Sequence, residues 1–236
     1  MAFFIEKYGS ILDQSNAQAK VITVNCEGHM GAGIALDAKF RWPEMFHEYN
    51  HLCINGGLEP GKLFLWPETD PTIICFPTKA SWKHPSRIEF IEDGLKTLSS
   101  QLKDFEIETI ALPHLGCSHG GLQWSEVEPV IRKNLETENL DIEVELWEFD
   151  PNFEDEKLVD LFDKLKNQSD EEVSKQLNIT KNVVTSLRNA LMSSRIHNLQ
   201  GLHNMPGIGE QSLKKIYDFL LNPEIDSIQE RLFFND

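Results

Sequence analysis

Val21-Ile22-Thr23-Val24-Asn25-Cys26-Glu27-Gly28-His29-Met30-Gly31-Ala32-Gly33-Ile34 opens on a β-branched run and passes into a glycine-rich turn. A short apolar run of this kind reads as a strand buried on both faces. Residues from about 34 to 49 then carry helical spacing. Working outward, the alternation repeats. Residues 62–66 and 72–76 read as two strands with a Pro-containing turn between them. Ser86 is expected to cap a helix running to about Lys103, with Glu89 three residues on completing a capping box. Residues 107–112 form a further strand, ended by Pro113, and a second glycine-rich loop runs from Gly116 to Gly121. Residues 124–135 read as a helix and 142–149 as a closing strand. Strands alternating with helices imply an α/β fold.

The character changes after Asp150-Pro151, where the strand pattern stops. Residues 154–166 read as an acidic amphipathic helix. Ser169-Asp170-Glu171-Glu172 starts a second helix that ends near Leu177. Residues 181–193 and 212–221 form two more. The chain therefore divides into an α/β domain, 1–150, and a small all-α domain, 151–236. Residues 170–191 have helix-turn-helix character, with Leu177, Ile179 and Val184 as their core; any two packed helices would show the same pattern.

The 236 residues carry 22 Lys+Arg against 38 Asp+Glu, a net charge of −16. Residues 151–236 account for 10 and 14 of these, so the first domain carries net −12 and the second −4. An acidic chain has no long-range attraction to DNA or to an anionic membrane, so any nucleic-acid contact must be local. Basic positions in the second domain are Lys181, Arg188, Arg195, Lys214 and Lys215. No apolar run is long enough to cross a membrane and the N-terminus lacks a signal-peptide pattern, so a cytoplasmic protein is expected. The four cysteines, 26, 53, 75 and 117, lack C-x-x-C spacing and read as reduced thiols; no metal or cofactor is expected.

Both glycine-rich loops lie just after strand ends, where open α/β sheets bind ligands. Glycine lets backbone N–H groups approach a phosphate, and a following helix N-terminus adds a favourable dipole. Two such loops fit a diphosphate ligand; each alone also fits a plain strand–helix turn.

Four segments carry a resemblance. They are residues 24–35; the Arg41-Trp42-Pro43-Glu44 turn; Phe76-Pro77-Thr78-Lys79 with Trp82 and Ser86-Arg87-Ile88-Glu89; and residues 112–124, Leu-Pro-His-Leu-Gly-Cys-Ser-His-Gly-Gly-Leu-Gln-Trp. In order and spacing they resemble the macro domain family, nearest to the DarG-type ADP-ribosyl glycohydrolases, over about 150 residues. The resemblance implies a three-layer α/β/α sandwich with a mixed sheet and a cleft for ADP-ribose. Asn25 then looks like the contact to the distal ribose. Met30, Gly31, Ala32, Gly33 and Ile34 look like the first loop. Leu115, Gly116, Cys117, Ser118, Gly120, Gly121 and Leu122 look like the second, and Thr78 adjoins them. Lys79 looks like the catalytic lysine. An amine there can attack C1″ of the distal ribose or deprotonate a water or ring-opening hydroxyl, provided that it is neutral. Pro77 and Trp82 are expected to give it a rigid, apolar setting. By spacing alone Lys79 reads first as a surface lysine that pairs with phosphate; the resemblance reverses that order.

Two positions depart from related patterns. Some lysine-using macro domains carry an aspartate where Gly120 stands, which leaves the acid or base unassigned; His119 is a candidate, and His114 can also titrate near neutrality. Ser10, followed by Ile11, stands where many macro domains carry Asp or Asn against the adenine amino group. The larger C-terminal domain of DarG-type proteins is not recognised in residues 151–236. Instead Met205-Pro206-Gly207-Ile208-Gly209 with Ser212-Leu213-Lys214-Lys215 resembles a helix-hairpin-helix. Gly207, Gly209, Lys214 and Lys215 would then grip DNA phosphate without reading sequence, unless the segment is a simple turn between packed helices. The implied function is removal of ADP-ribose from nucleobases of DNA, single-stranded by preference, reversing a DarT-like ADP-ribosyltransferase toxin. An ADP-ribose reader and a hydrolase of ADP-ribosylated protein are the alternatives.

Overall fold

A computed structural model describes residues 2–136, 140–192 and 196–221. The chain divides into two compact units between Asp150 and Pro151. The first contains β1 (Phe3–Gly9), α1 (Ile11–Gln14), β2 (Ala19–Asn25), α2 (Gly33–Arg41), α3 (Pro43–Ile54), β3 (Phe64–Trp66), β4 (Thr72–Lys79), α4 (Ile88–Asp104), β5 (Thr109–Pro113), α5 (Trp124–Leu135) and β6 (Glu143–Phe149). Its six strands lie in the order β1-β6-β5-β2-β4-β3. All neighbours pair in parallel except β3, which is antiparallel to β4.

Successive side chains of a strand point to opposite faces, and that period sorts the core into two layers. Val21 of β2, with Ile74 and Phe76 of β4, packs under Ile91, Leu95 and Leu98 of α4 and Val127 and Ile131 of α5. Ile22 and Val24, with Ile73 and Cys75, face Ala35 and Ala38 of α2 and Met45 and Tyr49 of α3. The sheet is thus sandwiched between helices, a three-layer α/β/α unit with a mixed sheet. Near-continuous burial of β2 and β4 matches strands covered on both faces.

Several boundaries differ from the sequence reading. The single helix expected over 34–49 is two, because Pro43 keeps Trp42 out of helical geometry and then serves as the first residue of α3. β4 continues past Phe76 through Pro77 to Lys79. β3 pairs only with Ile73, Ile74 and Cys75, so at Pro77 no β3 partner waits for the missing N–H. β1 has no counterpart in the reading; it is an edge strand with Phe3 and Tyr8 exposed, so its alternation is weak. The capping box at Ser86 does not form. Ser86 is buried, its N–H donates to the Gly120 carbonyl at 2.9 Å, and α4 starts one residue after Arg87 with no side-chain cap.

The second unit contains α6 (Glu156–Lys166), α7 (Asp170–Gln176), α8 (Lys181–Met192), α9 (Leu199–Leu202) and α10 (Glu210–Leu221). A reciprocal capping box starts α7: Ser169 Oγ accepts from Glu172 N–H, and the Glu172 carboxylate accepts from Ser169 N–H at 2.6 Å. Asn178, at φ 50°, turns the chain into α8. Leu177, Ile179 and Val184 are buried there with Val173 and Leu187. Arg188 fastens the bend by donating to Asp170 at 2.7 Å and to the carbonyls of Leu165 and Gln168. Arg195 and residue 193, the last of the expected third helix, lie outside the described residues.

Candidate active site

The site forms at the carboxyl ends of β2 and β4. Pairing runs evenly from Ala19↔Thr72 to Val24↔Pro77, then shifts, so that Asn25 stands opposite Lys79 rather than Thr78. That irregularity leaves Thr78 buried and places Lys79 beside the strand end that carries Asn25. Asn25 is buried and shapes the first loop. Its Nδ2 donates to the His29 carbonyl at 2.6 Å, and its Oδ1 accepts the N–H groups of Glu27 (2.9 Å) and His29 (3.3 Å). Tyr49 locks the strand end from below, its hydroxyl donating to the Asn25 carbonyl at 2.6 Å.

The first loop delivers the chain into α2 through Gly33, which has φ 55°. Among the described residues, no acceptor takes the N–H groups of Gly33, Ile34 and Ala35 at the head of α2. Those of Ser118, His119 and Gly120 in the second loop likewise have no acceptor there. The loops approach each other: a Cβ at Gly33 would sit 3.7 Å from the His119 ring. Unpaired backbone donors from two glycine loops and one helix start are an anion cradle. Met30 is buried beneath it, Gly31 and Ala32 are exposed on it, and Ile34 packs partly against the α2–α3 core.

The second loop is held closed by its own backbone. Gly116 O accepts from Leu122 N–H at 3.1 Å, and Gly121 N–H reaches Ser118 O at 3.3 Å. A Cβ on Gly120 would fall 2.1 Å from Gly116 O and 2.3 Å from Ser86 Oγ, so this position admits only glycine. The aspartate of other lysine-using macro domains has no room here. Leu115 is buried below the loop, and Cys117 and Leu122 pack partly against the α4–α5 core.

Lys79 reaches across to the second loop. Its Nζ donates to the His119 carbonyl at 2.5 Å. The apolar wall expected from Trp82 is absent, because the indole is 52% exposed and meets the edge of His29 at 5.7 Å. Pro77 is buried as expected. His119 is exposed, with its ring 3.3 Å from Ser118 Oγ and turned to Gly33. His114 is a different case. It stacks on Trp124 at 3.7 Å, and burial pushes its pKa below the usual histidine value. A half-buried stacked ring of this kind is a packing group held neutral. Burial also pushes the Cys26 thiol up to about 12 and the Cys117 thiol up to about 11, so neither is poised as a thiolate. Among the described residues no three His, Cys, Asp or Glu side chains gather as a metal site.

Ser10 and Ile11 lie at the end of β1 and are buried. The Ser10 hydroxyl donates to Asp13 at 2.7 Å, and Asp13 pairs with Arg41 at 2.8 Å, which also binds Asp37 at 2.7 Å. The sequence reading did not include Asp13, Arg41 as an ion-pair partner, Glu27 or buried Ser86; none has a motif of its own, and each is defined by what it touches.

Of the four second-domain positions, Gly207, Lys214 and Lys215 meet partners within their own unit. Lys214 pairs with Asp218 at 2.7 Å, and Lys215 donates to the Asn178 carbonyl at 2.6 Å. Gly207 has φ 84° and sits against Ser186, whereas Gly209 is open. The helix before this hairpin, α9, has four residues.

An α/β/α unit with two glycine-rich loops facing each other over its strand ends has the geometry to receive a phosphate group. The macro domain profile matches residues 21–131, and the chain belongs to that family. It is 39% identical over 148 residues to the DNA ADP-ribosyl glycohydrolase of Thermus aquaticus, covering 61% of this chain and 40% of that protein. It is 42% identical over 126 residues to the Mycobacterium tuberculosis protein of the same name, covering 51% and 36%. The chain thus spans about 40% or less of the length of these curated relatives. The macrodomain of Mycobacterium tuberculosis DarG matches with a TM-score of 0.56 at 37% identity, over 61% of this chain and 97% of that one. Thermosipho africanus DarTG in complex with ADP-ribose matches with a TM-score of 0.52 at 32% identity, over 56% and 38%. No helix among the described residues is long and apolar enough to cross a membrane.

Proposed function

We propose that this protein is an ADP-ribosyl glycohydrolase that removes ADP-ribose from modified nucleobases in DNA. The observation that carries the reading is Lys79, set opposite Asn25 by the shift in β2–β4 pairing and bonded across to the second loop. In this reading the two amide arrays hold the diphosphate, and Asn25 and the first loop surround the distal ribose. Cleavage of the C1″–N bond develops oxocarbenium character at C1″. The Lys79 amine, released from the His119 carbonyl, acts there as nucleophile or as the base for a water or ring-opening hydroxyl. The half-buried thiols of Cys26 and Cys117, held protonated, do not compete for this role. The names of the Thermus and Mycobacterium relatives support the DNA substrate. A Thermosipho relative is a DNA ADP-ribosyl transferase–DNA ADP-ribosyl glycohydrolase fusion protein, which supports a DarT-like transferase as partner. The free cysteines are in keeping with a cytoplasmic setting.

The test uses single-stranded oligonucleotides ADP-ribosylated on thymine or on guanine, treated with wild type and Lys79→Ala. Release of ADP-ribose by wild type alone, with ADP-ribose binding kept in the variant, is expected. Equal release by the variant refutes the role of Lys79, and binding without release by wild type leaves a reader.

A further inference from the structure

We infer that Trp82, on the connection between β4 and α4, is a stacking platform for a base of single-stranded DNA that neighbours the modified nucleotide. The inference rests on the proposed function and extends it to how DNA is held. A single exposed aromatic side chain is ordinary on a protein surface. Three observations separate Trp82 from that background.

The first is place. Asn25 and Lys79 mark the end of the cleft where the bond to the base is cut. Asn25 Nδ2 donates to the His29 carbonyl, and the His29 ring meets Trp82 edge to face at 76°. Trp82 therefore stands beside the end of the cleft that carries Asn25 and Lys79, one residue contact away through His29.

The second is rigidity. Glu27 spends its carboxylate on this loop: one oxygen accepts from Trp82 N–H at 3.1 Å and from Ser81 Oγ–H at 2.9 Å. The Ser81 hydroxyl bond holds the Glu27 carboxyl below its usual pKa, so the anchor stays ionised near neutrality. Ser81 Oγ in turn accepts from Lys83 N–H at 3.3 Å, and His84 N–H reaches Ser81 O at 3.2 Å. A pre-ordered loop backbone lowers the ordering cost when a base stacks on the ring that it carries.

The third is charge. Residues 79–87, Lys-Ala-Ser-Trp-Lys-His-Pro-Ser-Arg, carry three cations and a histidine. Arg87 pairs with Glu89 at 3.3 Å and the Glu27 carboxylate anchors the loop backbone, which leaves Lys83 as the cation beside the ring. Lys83 Nζ lies 5.4 Å from the Trp82 ring centroid. An indole with a cation beside it is the pairing that single-strand binders use for base and phosphate. It meets the requirement, set by the acidic chain, that DNA contact be local.

The experiment uses the full chain and a short labelled single-stranded oligonucleotide without ADP-ribose, followed by fluorescence anisotropy at low salt. Trp82→Ala should weaken binding about tenfold, the scale of one lost base–aromatic stack, and Trp82→Phe should keep most of it. Alongside, kcat/KM is compared between an ADP-ribosylated oligonucleotide and the matching ADP-ribosylated mononucleotide. The oligonucleotide preference should fall about tenfold in Trp82→Ala, through KM. Oligonucleotide binding and preference equal to wild type overturn the inference, as does a loss confined to Lys214 or Gly207 variants. Binding that depends on Trp82 without turnover of either substrate leaves the platform standing and overturns the proposed reaction instead.

Discussion

Replacing Gly120 by alanine should open the second loop. The added Cβ would lie 2.1 Å from Gly116 O, 2.3 Å from Ser86 Oγ and 2.7 Å from the Gly116 carbonyl carbon. Two of these are backbone atoms, and the third belongs to a buried side chain, so relief by one rotamer change is not on offer. Relief needs movement of about 1 Å on the side of residue 116 or 120, which breaks the Gly116 O–Leu122 N–H or the Ser86 N–H–Gly120 O bond. Overpacking costs about 1–3 kcal/mol and each lost backbone bond about 1 kcal/mol, so holding the loop closed would cost about 3 kcal/mol. At about 2–4 °C per kcal/mol for a unit of this size, the ceiling on the loss is about 6–12 °C in Tm. The loop can escape part of that cost by opening, and then the His119 carbonyl leaves Lys79 and the amide array disperses. Thermal unfolding and ADP-ribose titration calorimetry, run on the same preparations, separate the two responses. A lower Tm, or a smaller shift with ADP-ribose affinity weakened at least about tenfold, is expected. Wild-type Tm together with wild-type affinity would refute the steric argument. Gly120→Asp meets the same atoms and should not install a working carboxylate.

Two further outcomes follow from the site and its surroundings. The hydrogen of Ser10 Oγ is committed to Asp13, which Arg41 holds, so the oxygen is left as an acceptor suited to an amino group. Exchanging the adenine of ADP-ribose for hypoxanthine should weaken binding about tenfold, and Ser10→Ala should erase most of that difference in calorimetry; equal affinity of wild type for both ligands counts against it. Burial favours neutral His114 in the fold, so the unfolded chain takes up its proton first as pH falls. Stability should be full above about pH 6.5 and decline as pH falls through the depressed folded pKa. His114→Phe, which keeps a ring against Trp124, should flatten that slope in urea titrations; an unchanged slope would remove His114 as its source.

The reading of β2, α5 and β6 needed only local pattern, because β2 is a short β-branched run before a glycine turn, α5 follows a glycine loop with helical spacing, and β6 alternates up to Asp150-Pro151. The same logic failed at Trp42-Pro43, where helical spacing continues through a residue that proline excludes from helix. It also failed at Ser86-Arg87-Ile88-Glu89, where a capping pattern is present but the Ser86 N–H is taken by the Gly120 carbonyl and the helix starts from Arg87 instead. In the capping box that forms, Ser169 to Glu172, the serine N–H has no competing carbonyl among the described residues and meets the Glu172 carboxylate. β1 was illegible because an edge strand has little burial to impress on its sequence.

By itself the sequence determined the α/β class, the division near residue 150, the two glycine loops and the candidacy of Lys79. These follow from local composition, periodicity and motif spacing along one chain. Only the tertiary structure decided that Asn25 faces Lys79, since that depends on a one-residue shift between strands about fifty positions apart. It likewise decided that Gly120 is required by Gly116 and Ser86, that Trp82 turns outward on a Glu27 anchor, and that His114 is a stacked packing group. Each is a property of contacts between segments distant in sequence, and no local pattern encodes which partner a side chain will meet.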